Sequence, residues 1–167
     1  MSKANNGYLM IELMIAVSIA VIGILSILGF LSRSLGINRI VSDQFTANYL
    51  AMEGIEVVKN IIDANVIACL DGMASWNDGF TTNDSFEISY NSDALQLDQN
   101  RRILFDSSTG RYNYTSGNPT SFIRTININP ISSEEIQVNS IVSWTTRGSG
   151  SLSVNLEDHF FNWLCTN

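Results

Sequence analysis

Residues 13–32, Leu-Met-Ile-Ala-Val-Ser-Ile-Ala-Val-Ile-Gly-Ile-Leu-Ser-Ile-Leu-Gly-Phe-Leu-Ser, contain no charge, no proline and no amide side chain. As a helix, this run spans roughly 30 Å, about the thickness of a bilayer hydrocarbon core. It forces the chain to serve two solvents, because the rest of the sequence is polar and rich in Ser, Thr and Asn. A cleaved secretory signal is excluded on two counts: its apolar run is about 7–15 residues, and a small-x-small site follows it. Here Ser32-Arg33-Ser34-Leu35-Gly36 follows.

The 167 residues otherwise suffice for one domain of ordinary size. The net charge is −7, and the nine Lys and Arg are scattered, with only Arg101 and Arg102 adjacent. Phosphate-backbone binding needs a basic stripe, so the composition argues against nucleic acid as a partner.

The N-terminal border of the apolar run reads Asn6-Gly7-Tyr8-Leu9-Met10-Ile11-Glu12-Leu13, and Glu12 is the only charge between Lys3 and Arg33. A carboxylate at an apolar border is costly unless paired, so its default reading is functional. A Glu resting in the headgroup region is the bland alternative. Gly7 has no side chain, which suits an extended passage through a narrow peptidase cleft.

This border resembles that of type IV prepilins and pseudopilins. That family has a polar leader ending in Gly, then an aromatic or Met residue, then Glu at the fifth place after the cut, then an apolar run. The resemblance implies cleavage between Gly7 and Tyr8 by a prepilin peptidase and methylation of the new amine on Tyr8. It also implies a role for Glu12 in assembly, as the partner of that amine. Implied with these are an inner-membrane assembly platform and other pilin subunits as partners, with the bilayer as solvent before assembly. The chain would cross the cytoplasmic membrane once, with the N-terminus cytoplasmic and the head extracytoplasmic. It would end in an extracellular filament or a periplasmic pseudopilus. The orientation rests on the motif: Lys3 is alone in the leader while Arg33 and Arg39 flank the far end, and the positive-inside rule does not choose N-in by itself.

Past Arg33 an apolar rhythm of threes and fours continues through Ile37, Val41, Phe45, Tyr49, Met52, Ile55, Val58 and Ile62. It predicts an amphipathic helix to about Asn65 with these residues on its packed face. Residues 47–65 resemble the "LAxEGIExVRNIRDxN" segment of minor pilins related to PilV and of the pseudopilin I component of type II secretion. Gly29 stands where major pilins often carry Pro, which favours a minor pilin or pseudopilin. Gly23, Ser26 and Gly29 recur every three residues, a spacing that lets membrane helices approach or is merely tolerated. Gly54 in mid-helix permits a close contact with a sheet or is likewise tolerated.

Beyond Asn65, Asp71-Gly72, Asn77-Asp78-Gly79 and Asn83-Asp84 are turn signals. Alternating segments at 86–90, 94–97, 102–105, 111–114, 121–129, 135–146 and 152–156 predict strands. Arg147-Gly148-Ser149-Gly150 reads as the turn joining the last two. The ending resembles the same minor-pilin group through Phe122-Ile-Arg124-Thr-Ile126-Asn-Ile128, Ile136 to Trp144 and Gly150 to Trp163. Residues 68–120 stay unassigned.

The expected fold is therefore α+β and pilin-like, a long N-terminal helix packed on an antiparallel β-sheet head. Residues 1–7 would be the leader, 8–32 the membrane or filament-core half of the helix, 33–66 its amphipathic half and 67–167 the head. Trp144 and Trp163 are expected in the core. Cys69 and Cys165 lie beyond the span and are candidates for a disulfide in an oxidising compartment, with two separate buried thiols as the alternative. Glu157-Asp158-His159 reads as a solvated or capping cluster before a short terminal helix. Adjacent residues do not converge on one point, so the cluster is not an acid–base site. With no phosphate loop, zinc spacing or calcium loop, no enzymatic activity, cofactor, metal or small-molecule substrate is expected. The leading function is that of a minor pilin in a filament. A type II secretion pseudopilin, an adhesive or ligand-binding tip subunit and an uncleaved single-pass anchor are the alternatives.

Overall fold

The computed structural model describes residues 6–146 and 150–165. Two compact units emerge, residues 1–42 and residues 43–167. One helix, α1 (Asn6–Leu70), runs through the first and into the second. No Pro interrupts it, since the first in the chain is Pro119. It ends five residues beyond the expected stop, at a Schellman motif. Gly72 takes φ +71°, its N–H bonds Cys69 O at 2.9 Å, and Met73 N–H bonds Ala68 O at 2.9 Å.

The described residues of the second unit form seven strands: β1 (Asp84–Glu87), β2 (Gln96–Leu97), β3 (Arg102–Asp106), β4 (Arg111–Asn113), β5 (Asn118–Ser132), β6 (Glu135–Thr146) and β7 (Gly150–Phe161). All pairings are antiparallel. β5 is the axis of the sheet. One edge pairs with β1 and β3, which carry β2 and β4 outside them, and the other edge pairs with β6, then β7. Ser132↔Glu135 closes the β5–β6 hairpin tightly. Thr146↔Gly150 brackets the β6–β7 turn, where Arg147, Gly148 and Ser149 lie outside the described residues, as do residues 1–5 of the expected leader.

β5 and β6 alternate between buried and half-buried positions along their centres, the period-2 signature of a sheet with one covered face. The cover is the helix segment from Ala47 to Ile62. Ala47, Leu50 and Ala51 pack with Ile103, Phe122, Val142 and Trp144. Val57, Val58 and Ile62 pack with Ile88, Ile126, Ile128, Ile136 and Val138, together with Trp76 and Phe80 from the turns after the helix.

This corrects the predicted packed face. Val58 and Ile62 are buried as expected, but Phe45, Tyr49 and Met52 are exposed. The sheet instead takes the small residues of the neighbouring face, where the two backbones can approach. Two further expectations fail. Trp163 is 77 % exposed whereas Trp144 is buried. The segment through His159 is strand rather than the approach to a helix, because β7 keeps its pairing with β6 to Phe161↔Glu135.

Candidate functional site

The first site lies at the start of the apolar helix. Tyr8 and Glu12 stand four residues apart in α1 and so share a face. With Ile11, Ile15, Ala16 and Ile19 they line a shallow concavity. Tyr8 is 78 % exposed, and Glu12 has no hydrogen bond or ion pair among the described residues. The Gly7–Tyr8 bond lies inside α1, which begins at Asn6. Presenting it in extended form would require the first turn to unwind at Gly, the weakest helix former after Pro.

Downstream, the side chains from Leu9 to Leu31 offer their apolar surface outward. The helix is long and apolar enough to cross a membrane. Its two hydroxyls in this run are satisfied within the helix, Ser18 Oγ donating to Met14 O at 2.7 Å and Ser26 Oγ to Ile22 O at 2.8 Å. Internal satisfaction is what a helix in hydrocarbon demands. A Cβ added at Gly23 or Gly29 would meet nothing within 4 Å, so close approach at these glycines is open to a neighbouring chain.

In the head, Arg124 occupies the seam between the two apolar clusters, 2 % exposed. Its Nη1 donates to Leu50 O at 2.8 Å and to Glu53 Oε1 at 3.0 Å, and its Nη2 to Ile88 O. One side chain of β5 thus ties α1 to the segment after β1. Gly54 leaves the room: a Cβ there would stand 2.5 Å from Ser140 Oγ, 2.8 Å from Ile126 Cδ1 and 3.3 Å from Arg124 Cδ. Cys69 and Cys165 are joined as a disulfide with Cα atoms 6.1 Å apart, which fastens the last turn of α1 to the end of the chain.

His159 lies on the exposed side of β7, with Nδ1 2.7 Å from Glu135 Oε1 and Nε2 3.4 Å from Glu157 Oε1. The hydrogen bond to Glu135 raises its pKa above the ordinary histidine value, with Glu157 adding to it. Glu157 is held below the usual carboxylate range, first by Asn139 and then by Gln137 and His159.

The unassigned middle of the sequence builds a polar cleft chiefly from the β1–β2 and β4–β5 connections, lined among others by Glu87, Ser89, Tyr90, Arg101 and Tyr114. Sequence reasoning missed the Glu87–Arg101 pair. Alternation could have placed Glu87 beside Phe86, but nothing local marks a buried carboxylate whose partner lies fourteen residues away. Comparison with protein-family models, with curated proteins and with solved structures yields no match to this chain.

Proposed function

We propose that this chain is a prepilin, cut after Gly7, methylated on Tyr8 and built through its apolar helix into a type IV pilus-like filament as a minor subunit. The observation that carries this reading is Gly7-Tyr8 followed by Glu12 at the head of an uncharged run long enough to span a bilayer. Among the described residues Glu12 has no cationic partner. Cleavage creates an ammonium on Tyr8, and that cation, on the same or a neighbouring subunit, is what a carboxylate at an apolar border requires. The outward apolar side chains from Leu9 to Leu31 and the open backbone at Gly23 and Gly29 suit a helix that exchanges lipid contacts for contacts with identical or related helices. The α+β organisation, with a sheet resting on the second part of the helix, agrees with this reading.

Mass spectrometry of the chain recovered from filaments tests it. The expected N-terminus is N-methyl-Tyr8. A working subunit that retains residues 1–7 overturns the proposal in favour of an uncleaved anchor. In the same strain Glu12→Ala is expected to be cleaved normally and to enter filaments poorly, read as the ratio of filament-bound to membrane-bound subunit.

A further inference from the structure

The cleft between the β1–β2 and β4–β5 connections has a volume of about 760 Å³, inside the 300–1,000 Å³ range of small-ligand sites. It holds an ion pair between a buried carboxylate and a part-exposed guanidinium. The Glu87 side chain is 2 % exposed, and Arg101 grips it through Nε at 3.1 Å and through Nη2. Neither residue belongs to the two apolar clusters that hold helix and sheet together. The walls are set in advance. Asn113 Oδ1 accepts the N–H of Thr115 at 2.8 Å, the N–H of Ser116 at 2.7 Å and the Thr115 hydroxyl at 3.1 Å. Such preorganisation lowers the ordering cost of binding.

The cleft lining carries one guanidinium, Arg101, and three carboxylates, Glu87, Asp93 and Asp106. Arg101 is neutralised by Glu87. Asp106 spends one oxygen on Ser108 and the other on Ser116. This leaves no surplus cation for a phosphate or sulfate, and two carboxylates beyond the pair, Asp93 and Asp106, that can accept from ligand hydroxyls. No cluster of three or more metal-ligating side chains occurs among the described residues. Beside these carboxylates stands a dense set of neutral donors and acceptors, among them Ser89, Asn91, Ser92 and Thr109, with the rings of Tyr90 and Tyr114, over which the guanidinium groups of Arg111 and Arg101 lie at 4.7 Å and 5.2 Å from the ring centroids. The Ser89 hydroxyl has no hydrogen-bond partner, and neither has Arg101 Nη1 among the described residues. Hydroxyls that both donate and accept, carried on a ring with apolar C–H faces, complement this lining.

We infer that this cleft binds a neutral, hydroxyl-rich ligand, one or two sugar rings of a glycan. The inference stands apart from the filament reading, since every residue it uses lies in the second unit.

The test is saturation-transfer NMR on the full chain in a polyoxyethylene detergent, which carries no sugar headgroup to compete. The probes are a panel of neutral hexose and N-acetylhexosamine oligosaccharides, with spermidine and inorganic phosphate as charged probes. Transfer to at least one neutral oligosaccharide and to neither charged probe is expected. The double variant Glu87→Gln, Arg101→Gln should weaken that binding by about tenfold, the equivalent of one good hydrogen bond. Asp93→Ala, on the exposed rim where folding is not at stake, should weaken it by about threefold, and decides the matter if the double variant loses its near-UV circular dichroism. The inference is overturned if no neutral oligosaccharide binds, if spermidine or phosphate is the probe that binds, or if folded variants bind as well as the parent.

Discussion

At Gly54 the helix backbone lies against β5 and β6 with no space for a methyl group. Alanine is the better helix former by about 1 kcal/mol, so propensity alone would make Gly54→Ala stabilising. Overpacking costs typically about 1–3 kcal/mol, and the expected outcome is a net loss of about 1–2 kcal/mol in denaturant unfolding of the head. Because the nearest atom is Ser140 Oγ, adding Ser140→Ala should recover part of the loss, and a double-mutant cycle would read the coupling. Arg124→Met removes the donors to Leu50 O, Ile88 O and Glu53. Breaking a buried charge network of this sort costs about 3–5 kcal/mol, and the same unfolding curves measure it. His159 gives a pH signature. Its raised pKa means that the imidazolium is bound more tightly in the folded state, so its stabilisation is complete below the unfolded value of about 6.5 and fades as pH rises through the folded value. Glu157 has the opposite sign, with its contribution present above the unfolded carboxylate pKa and lost as pH falls through the folded one. The pair therefore supports β7 against β6 in mildly acidic solution. As His159 is the only histidine in the chain, its ring resonances can be titrated by NMR without ambiguity. Urea midpoints of His159→Gln should lack the decline expected of the parent as pH rises through the folded histidine pKa.

The strands from β3 onward were visible in the sequence because alternation is a local signal. Residues 135–146 were read to both boundaries, and β5 only came out longer than its predicted nine residues. The helix was equally legible as an element, since nothing between Tyr8 and Leu70 breaks it. Its packed face was not. From Phe45 to Val58 apolar residues fall on two adjacent stripes, and the three-four rhythm counts them alike. Large side chains were chosen for the core, whereas the sheet selected Ala47, Ala51 and Gly54 because small residues admit a close interaxial approach. The alternation in the sequence marks β7 only to Leu156 because Glu157, Asp158 and His159 are polar on both faces, whereas these side chains satisfy one another and β6 across the exposed face and the strand runs to Phe161. Two substitutions separate the helix faces. Leu50→Ala, in the packed face, should destabilise the head by about 2–5 kcal/mol. Phe45→Ala, on the exposed stripe, should change it by no more than about 0.5 kcal/mol. Equal losses in thermal or chemical unfolding would contradict the packing described.

At the scale of the whole chain, the membrane-length run and the border at Gly7, Tyr8 and Glu12 are one-dimensional signals, readable without a structure. The cleft is the reverse case. Glu87, Arg101, Asn113 and Tyr114 come together only through the pairing of β1 and β3 with β5, and no spacing along the sequence announces that meeting. The disulfide falls between the two. Its cysteines could be named as candidates, but their meeting depends on the sheet returning the chain to the end of α1. The bond spans 96 residues and encloses every strand. In the chain-entropy account, closing a loop of about 100 residues restricts the unfolded ensemble by about 4.7 kcal/mol, a large share of the stability of any single domain. A reducing agent, or Cys69→Ser with Cys165→Ser, should therefore lower the unfolding free energy of the head by about 3–5 kcal/mol. The variant should keep its far-ultraviolet spectrum under native conditions, since helix and sheet are held by apolar packing that the cysteines only border. Because the effect acts on the unfolded chain, the unfolding slope with denaturant should rise in the reduced protein as the released loop exposes more surface. A shift in midpoint without any change in slope would instead place the contribution in the folded contacts around Cys165, Val66 and Trp76.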